Sequence, residues 1–220
     1  MGKFSQQIED YLKTIYLLQQ REGGATTNAI AEALTVKPGS VTGMLKKLTE
    51  LKLVRHMPYQ GVTLTKAGEK IALEVVRHHR LLELFLVETL GYTWDEVHVE
   101  ADRLEHVISE DFEERIAARL GNPQVDPHGD PIPAKDGSMA NVQQQSLAEL
   151  PCGQSAQVTR LNDTHPEMLR YAAVLGLRPK ARITVVEAEP FGGPLRVRVG
   201  KTEHAIGREL AEHIFVTTEA

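Results

Sequence analysis

The sequence predicts a mainly α chain that ends in a small β domain. Three features point there. Apolar residues recur at spacings of three and four through most of the first half, a stretch rich in Pro, Gly, Asp and Gln runs from Asn122 to Ser146, and short strand-like runs follow it. At 220 residues the chain has room for more than one domain. The expected boundaries are 1–66 for a winged helix-turn-helix, 67–145 for a helical domain with a linker, and 146–220 for the β domain.

Each element has its own signal. Phe4, Ile8, Tyr11, Leu12, Ile15 and Leu18 form one apolar stripe on a first helix, which REGGATT interrupts with two glycines and then threonines suited to capping. NAIAEALTV reads as a short second helix. Val41, Met44, Leu45 and Leu48 give a longer third one, with Pro38 suited to its first turn because a missing N–H costs nothing there. VRHMPYQGVTLTKAG alternates β-formers around a Tyr-Gln-Gly turn, the pattern of a two-stranded hairpin. Helix, short helix, turn, longer helix and hairpin together make a winged helix-turn-helix.

Two longer helices are predicted next, each ending at a glycine. The second would run through TWDEVHVEADRLEHVISEDFEERIAARLG, with an apolar row at Val97, Ala101, Leu104, Ile108, Phe112 and Ile116 suited to pairing across a dimer. After the linker, AQVTRL, ARITVVEAE, LRVRVG and HIFVTTE alternate as strands, and PEMLRYAAVLG reads as a helix inserted into a small β-barrel-like domain.

The composition is globular, 41% hydrophobic and 25% charged, with a formal net charge of −5. That total hides an asymmetry. Residues 1–80 carry 12 Lys/Arg against 7 Asp/Glu, whereas residues 81–150 carry 4 against 15. A basic first third beside an acidic middle suits one surface for a polyanion and another rich in carboxylates. No run approaches the roughly 18–20 apolar residues of a bilayer span, and the N-terminal stretch lacks a signal-peptide core. A cytoplasmic protein without a membrane partner is expected. The single cysteine, Cys152, cannot form an intrachain disulfide and reads as a small apolar residue.

In a winged helix-turn-helix the recognition helix enters the major groove by its N-terminal residues while the wing follows the phosphates. Lys37, Ser40, Thr42 and Gly43 would then face the groove beside Pro38, and Thr27, Lys46, Lys47, Arg55 and Tyr59 would lie near the backbone of double-stranded DNA. Hydroxyl and glycine residues lack the bidentate reach of Arg or Asn, so specificity should lean on DNA shape and half-site spacing. The bland alternative is a helical hairpin serving protein interaction, with solvated surface charge.

HVEADRLEH, residues 98–106, holds two imidazoles and three carboxylates. At 100° per residue, His98, Asp102, Glu105 and His106 share an arc of about 100° beside the apolar row. His79 and Glu83 stand at i and i+4 one helix upstream, and Asp10 neighbours the inward stripe of the first helix. A solvated acidic face, a carboxylate pair for acid/base work, and the wall of a metal site are three readings of this pattern. Three such helices beside a DNA-binding unit favour metal. No nucleophile or phosphate loop is visible, so no catalytic residue is assigned and no small organic substrate is expected.

With these motifs the chain resembles the diphtheria toxin repressor family of metal-dependent regulators, particularly its manganese-sensing members. TTNAIAEALTVKPGSVTGMLKKL, EDYL, RHHRLLELFL, HVEADRLEHVIS and DPHGDPIP carry the resemblance, and the last segment resembles the SH3-like domain also found in ferrous-iron transport proteins. The resemblance implies a cytoplasmic homodimer that binds operator DNA and represses metal-uptake genes, with Mn²⁺ as cofactor and Fe²⁺ as the second candidate. It implies an activating site of Asp10, Asp102, Glu105 and His106, which His79 could join, and an ancillary site of His79, Glu83 and His98. Asp126 and His128 stand where some relatives have Cys-Pro-His, and Asp163, His165 or Glu167 could add a ligand from the third domain. Iron-sensing members carry Met and Cys where Asp10 and Asp102 stand, and harder oxygen donors move preference toward Mn²⁺. Lys13 replaces a glutamate ligand of a manganese-sensing relative, which argues against a paired-metal arrangement. Two alternatives stay open at this stage: a winged-helix regulator of a small organic effector, and a metalloenzyme using the same carboxylates.

Overall fold

The computed structural model describes residues 4–57, 61–140, 144–162 and 166–218. Tyr59, Asp163 and His165 lie outside the described residues. The chain divides into two compact units, Met1–His79 with Arg103–Glu113 and Pro133–Ser138, and Arg80–Asp102 with Glu114–Ile132 and Met139–Ala220.

In the first unit, α1 (Gln6–Glu22) buries Ile8, Tyr11, Leu12 and Ile15 of the expected stripe and Tyr16 beside them, while Phe4 and Leu18 are half-buried. It stops at Gly23, whose φ of 74° lets its N–H reach back to the Gln19 carbonyl. Thr26 then caps α2 (Thr27–Ala33), its side-chain oxygen accepting from the Ala29 N–H at 3.1 Å. The recognition helix α3 (Pro38–Glu50) starts at Pro38 and buries Val41, Met44, Leu45 and Leu48. Strands β1 (Val54–Met57) and β2 (Gly61–Leu64) pair antiparallel as the wing. The Gln19 side chain accepts from the Leu64 N–H at 2.8 Å and so ties α1 to that wing. The long α4 (Lys66–Leu90) follows.

The single helix expected over residues 93–121 is two. α5 (Val97–Leu104) ends before Glu105, and α6 (Glu110–Arg119) begins after a turn. Ser109 explains the restart, because its hydroxyl oxygen accepts from the Phe112 N–H at 3.2 Å, an N-cap that competes with helix continuation. The predicted apolar row is accordingly broken: Val97, Ala101, Ile108 and Ile116 are buried, while Phe112 is 43% exposed.

In the second unit, β3 (Gln145–Ser146), β4 (Ser155–Leu161), β5 (Arg182–Ala188), β6 (Leu195–Val199), β7 (Thr202–Ile206) and β8 (Ile214–Thr217) form one antiparallel sheet in the order β3-β8-β4-β5-β6-β7. α7 (Pro166–Val174) follows β4 and α8 (Arg208–Glu212) follows β7. Val158, Ile183, Val185, Val197, Ile206, Ile214 and Val216 fill the core, with Trp94 buried among them.

The expected SH3-like barrel is not formed. The sheet is open, with β3 and β7 as its ends. Two features explain the missing closure. β3 has only two residues before Ser146 caps a 3-10 turn at Leu147–Glu149, and β7 gives way to α8 after Gly207. Strand-like alternation specifies faces, whereas closing a barrel needs end strands long enough to pair. Cys152 also departs from expectation: it is exposed, and its thiol donates to the Val186 carbonyl at 3.0 Å.

Candidate metal centre

Within the first unit, Asp10 on α1 meets the turn after α5. Asp10, Glu105 and His106 each present a ligand atom, all within 4.8 Å of one another. His106 Nε2 lies 2.7 Å from Asp10 Oδ1 and 3.3 Å from Glu105 Oε1. Its Nδ1 lies 2.7 Å from Glu9 Oε2. With Nδ1–H donated to Glu9, exchange of the Nε2 proton for a metal ion would leave a lone pair directed at the site of the two carboxylates, the arrangement by which an outer carboxylate orients a ligating imidazole. Burial works against the charged His106 ring, but hydrogen bonds to Asp10 and Glu9 raise its pKa on balance.

Glu105 is almost fully buried and is held by Lys13 and His79. Lys13 Nζ donates to both its oxygens, at 2.7 and 3.0 Å, and His79 Nδ1 lies 2.5 Å from Oε2. Burial pushes its pKa up, but the His79 hydrogen bond and the Lys13 charge bring it below the ordinary range. Lys13 Nζ is also 3.0 Å from His79 Nδ1. The ammonium thus supplies part of the positive charge that this carboxylate needs.

In the second unit, Glu83 of α4 meets the loop after α6. Glu83, Asp126 and His128 are buried and again offer ligand atoms within 4.8 Å of one another. His128 Nε2 donates to the Trp94 carbonyl at 2.6 Å and stacks on the Trp94 ring, placing Nδ1 3.7 Å from Glu83 Oε2. Asp126 Oδ1 accepts from the backbone N–H of His128 and Asp130, while Oδ2 lies 3.6 Å from Arg80 Nε. Burial, then the charges of Asp130 and Glu83, push the Asp126 pKa well above its ordinary value. His98 Nδ1 lies 3.2 Å from Glu83 Oε1, and His98 Nε2 lies 3.5 Å from Asp102 Oδ2. Two buried carboxylates beside an imidazole fit a cation, because such charges are costly without one.

His128, legible in sequence only as a turn residue or a ligand, is therefore fully buried. Glu167 is exposed on α7 and joins no metal-competent cluster among the described residues. Glu9 and Trp94 were not singled out from sequence. Glu9 adjoins Asp10 and could have been suspected, whereas the Trp94 carbonyl carries no local signal.

The residues expected to face DNA can be placed by their exposure. Lys37, Pro38, Ser40, Thr42, Gly43, Lys46, Lys47 and Arg55 are exposed, and Thr27 is half-buried at the start of α2. The Thr42 hydroxyl donates to the Pro38 carbonyl at 3.1 Å.

Comparison with known proteins agrees along the whole chain. Residues 3–62 match the family described as iron dependent repressor, N-terminal DNA binding domain. Residues 65–134 match iron dependent repressor, metal binding and dimerisation domain, and residues 145–218 match the FeoA domain. The chain is 34% identical to the iron-dependent repressor IdeR of Mycobacterium leprae, covering 94% of this chain and 95% of that protein. It is 39% identical to the transcriptional regulator MntR of Lysinibacillus sphaericus over 50% of this chain and 78% of the relative. A solved manganese-dependent transcriptional repressor in complex with manganese superposes with a TM-score of 0.88 at 39% identity, covering 96% of this chain and 100% of that one.

Proposed function

The chain belongs to the iron-dependent repressor family, and from that membership we infer that it is a metal-activated, DNA-binding repressor of metal-uptake genes. It is a regulator and not an enzyme, and it binds operator DNA as a homodimer. We read it as three domains, 1–66, 67–145 and 146–220, of which the last is of the FeoA type. No helix among the described residues is long and apolar enough to cross a membrane, and we place the protein in the cytoplasm with its DNA.

The observation that carries this reading is the meeting of Asp10 with Glu105 and His106, residues from distant parts of the sequence. We assign Asp10, Glu105 and His106 to the activating site, with His79 beside Glu105. Asp102 joins that assignment on the family resemblance. Glu83, Asp126 and His128, with His98, are assigned to the ancillary site. A divalent ion supplies the positive charge that these carboxylates otherwise take from Lys13 and ring protons. Mn²⁺ fits best, with Fe²⁺ second, because Asp10 offers hard oxygen rather than sulfur.

The chain's own residues convert that charge into a DNA response. Asp10 anchors α1, α1 holds the wing through Gln19, and α1 also packs on α2 of the helix-turn-helix. Fixing α1 to the Glu105–His106 turn therefore favours one placement of the recognition helix over the metal-free ensemble. Fluorescence anisotropy on promoter DNA from metal-uptake genes should show binding that appears with Mn²⁺ and disappears with a chelator. Metal-independent binding of equal strength would contradict this function.

A further inference from the structure

A third group of metal-competent side chains lies outside both ligand sets, between α4 and the first turn of α6. Glu74 and His78 stand one turn apart on α4, and Glu110 begins α6. Each offers a ligand atom, and these atoms lie within 4.8 Å of one another. The two glutamates are exposed, but His78 is only 7% exposed.

The His78 ring is set from the backbone. Its Nδ1 lies 3.0 Å from the Glu105 carbonyl, an acceptor, so Nδ1 carries a proton and donates it there. Nε2 is buried and makes no hydrogen bond among the described residues, with Glu113 Oε2 at 3.4 Å. A buried ring nitrogen in that state is costly. An imidazole oriented through one nitrogen by a carbonyl, with the other directed at carboxylates, is how proteins present a histidine to a metal.

The local charge agrees. Arg77 Nε donates to Glu113 Oε1 at 2.5 Å. Burial disfavours the Glu113 carboxylate, yet the nearby His78 ring and the Arg77 hydrogen bond and charge bring its pKa down to about 2. Glu113 therefore stays ionised. The carboxylates of Glu74, Glu110 and Glu113 outnumber the Arg77 guanidinium beside them, a surplus of negative charge that a divalent ion offsets.

We propose that Glu74, His78 Nε2 and Glu110 form a third divalent-cation site, with Glu113 as the adjoining carboxylate. Mixed oxygen and imidazole donors select a first-row divalent ion such as Mn²⁺. Ligation there pins the first turn of α6 to α4, and the His78 ring carries that restraint to the Glu105 backbone through one hydrogen bond. The site is independent of the regulatory reading, because its readout is bound metal rather than DNA.

Glu74→Gln combined with Glu110→Gln removes two exposed carboxylates and leaves the core untouched, so the full-length variant should fold and melt like the parent. Equilibrium dialysis against Mn²⁺ with elemental analysis should then give one bound ion fewer per chain. In the parent protein labelled with ¹⁵N-histidine, a Zn²⁺ titration should shift the His78 Nε2 resonance, and the double variant should lose that shift. Equal Mn²⁺ stoichiometry in the two proteins, or a His78 ring unmoved by Zn²⁺, would overturn the site. His78 would then be only the ion-pair partner of Glu113.

Discussion

Asp10→Ala should abolish metal-activated operator binding while leaving the fold intact. Asp10 contributes the α1 carboxylate of the cluster it forms with Glu105 and His106, and its side chain is 36% exposed, so its removal opens no cavity. Loss of an outer-shell partner at a metal site typically costs about 10–100-fold in affinity, and loss of a ligand should exceed that. Glu9 does not substitute, because it holds the opposite ring nitrogen of His106. Mn²⁺ affinity by calorimetry should therefore fall by more than about 100-fold, with the melting temperature little changed. Metal-dependent DNA binding should fall with it. Asp10→Met sharpens the result: a soft thioether in place of the oxygen should weaken the Mn²⁺ response more than the Fe²⁺ response. Equal losses for both ions would remove the explanation of metal choice.

Gly129→Ala should have the largest effect on stability. Gly129 adopts φ +92° between His128 and Asp130, a conformation that favours glycine. A methyl there would lie 1.9 Å from the Thr159 carbonyl oxygen, a backbone atom of β4 that has little freedom to retreat. The loop is also fastened to β4 by the Leu161 N–H, which donates to the His128 carbonyl at 2.9 Å. Relieving the overlap must pull the loop off the strand, and backbone strain adds to that cost. The expected loss is at least about 3 kcal/mol, a melting temperature lower by roughly 6–12 °C for a chain of this size. Because the same loop carries Asp126 and His128, the variant should also lose metal bound at the ancillary set. An unchanged melting curve would show that the loop relaxes freely and that its glycine is not required.

The winged helix was legible because each element carries a local signal: the α1 stripe, the Thr26 cap, Pro38 at the start of α3 and the period-2 hairpin. Asp10, Glu105 and His106 were legible as candidates for the same reason, being polar groups at the edge of an apolar stripe. The break between α5 and α6 was not. Val107 and Ile108 continue the helical period, so the competing Ser109 cap was invisible to a periodicity argument. Its consequence reaches the site, since Glu105 and His106 lie past the last turn of α5 and are positioned by the turn rather than by helical angle. The open sheet escaped for a different reason. Alternation fixes which face of a strand is buried but not whether β3 and β7 are long enough to meet. His128 was legible as a candidate ligand but its burial was not, because that burial comes from Trp94 and β4, partners far away in sequence.

Reciprocity between metal and DNA tests the central claim most directly. If ligation by Asp10, Glu105 and His106 selects the DNA-competent placement of α3, operator DNA must tighten Mn²⁺ binding by the same factor by which Mn²⁺ tightens DNA binding. Calorimetric Mn²⁺ titration of the full-length protein, with and without saturating operator duplex, measures that factor. The predicted result is an affinity gain equivalent to about 1–3 kcal/mol in the presence of the duplex. Identical Mn²⁺ affinity with and without DNA would contradict metal activation.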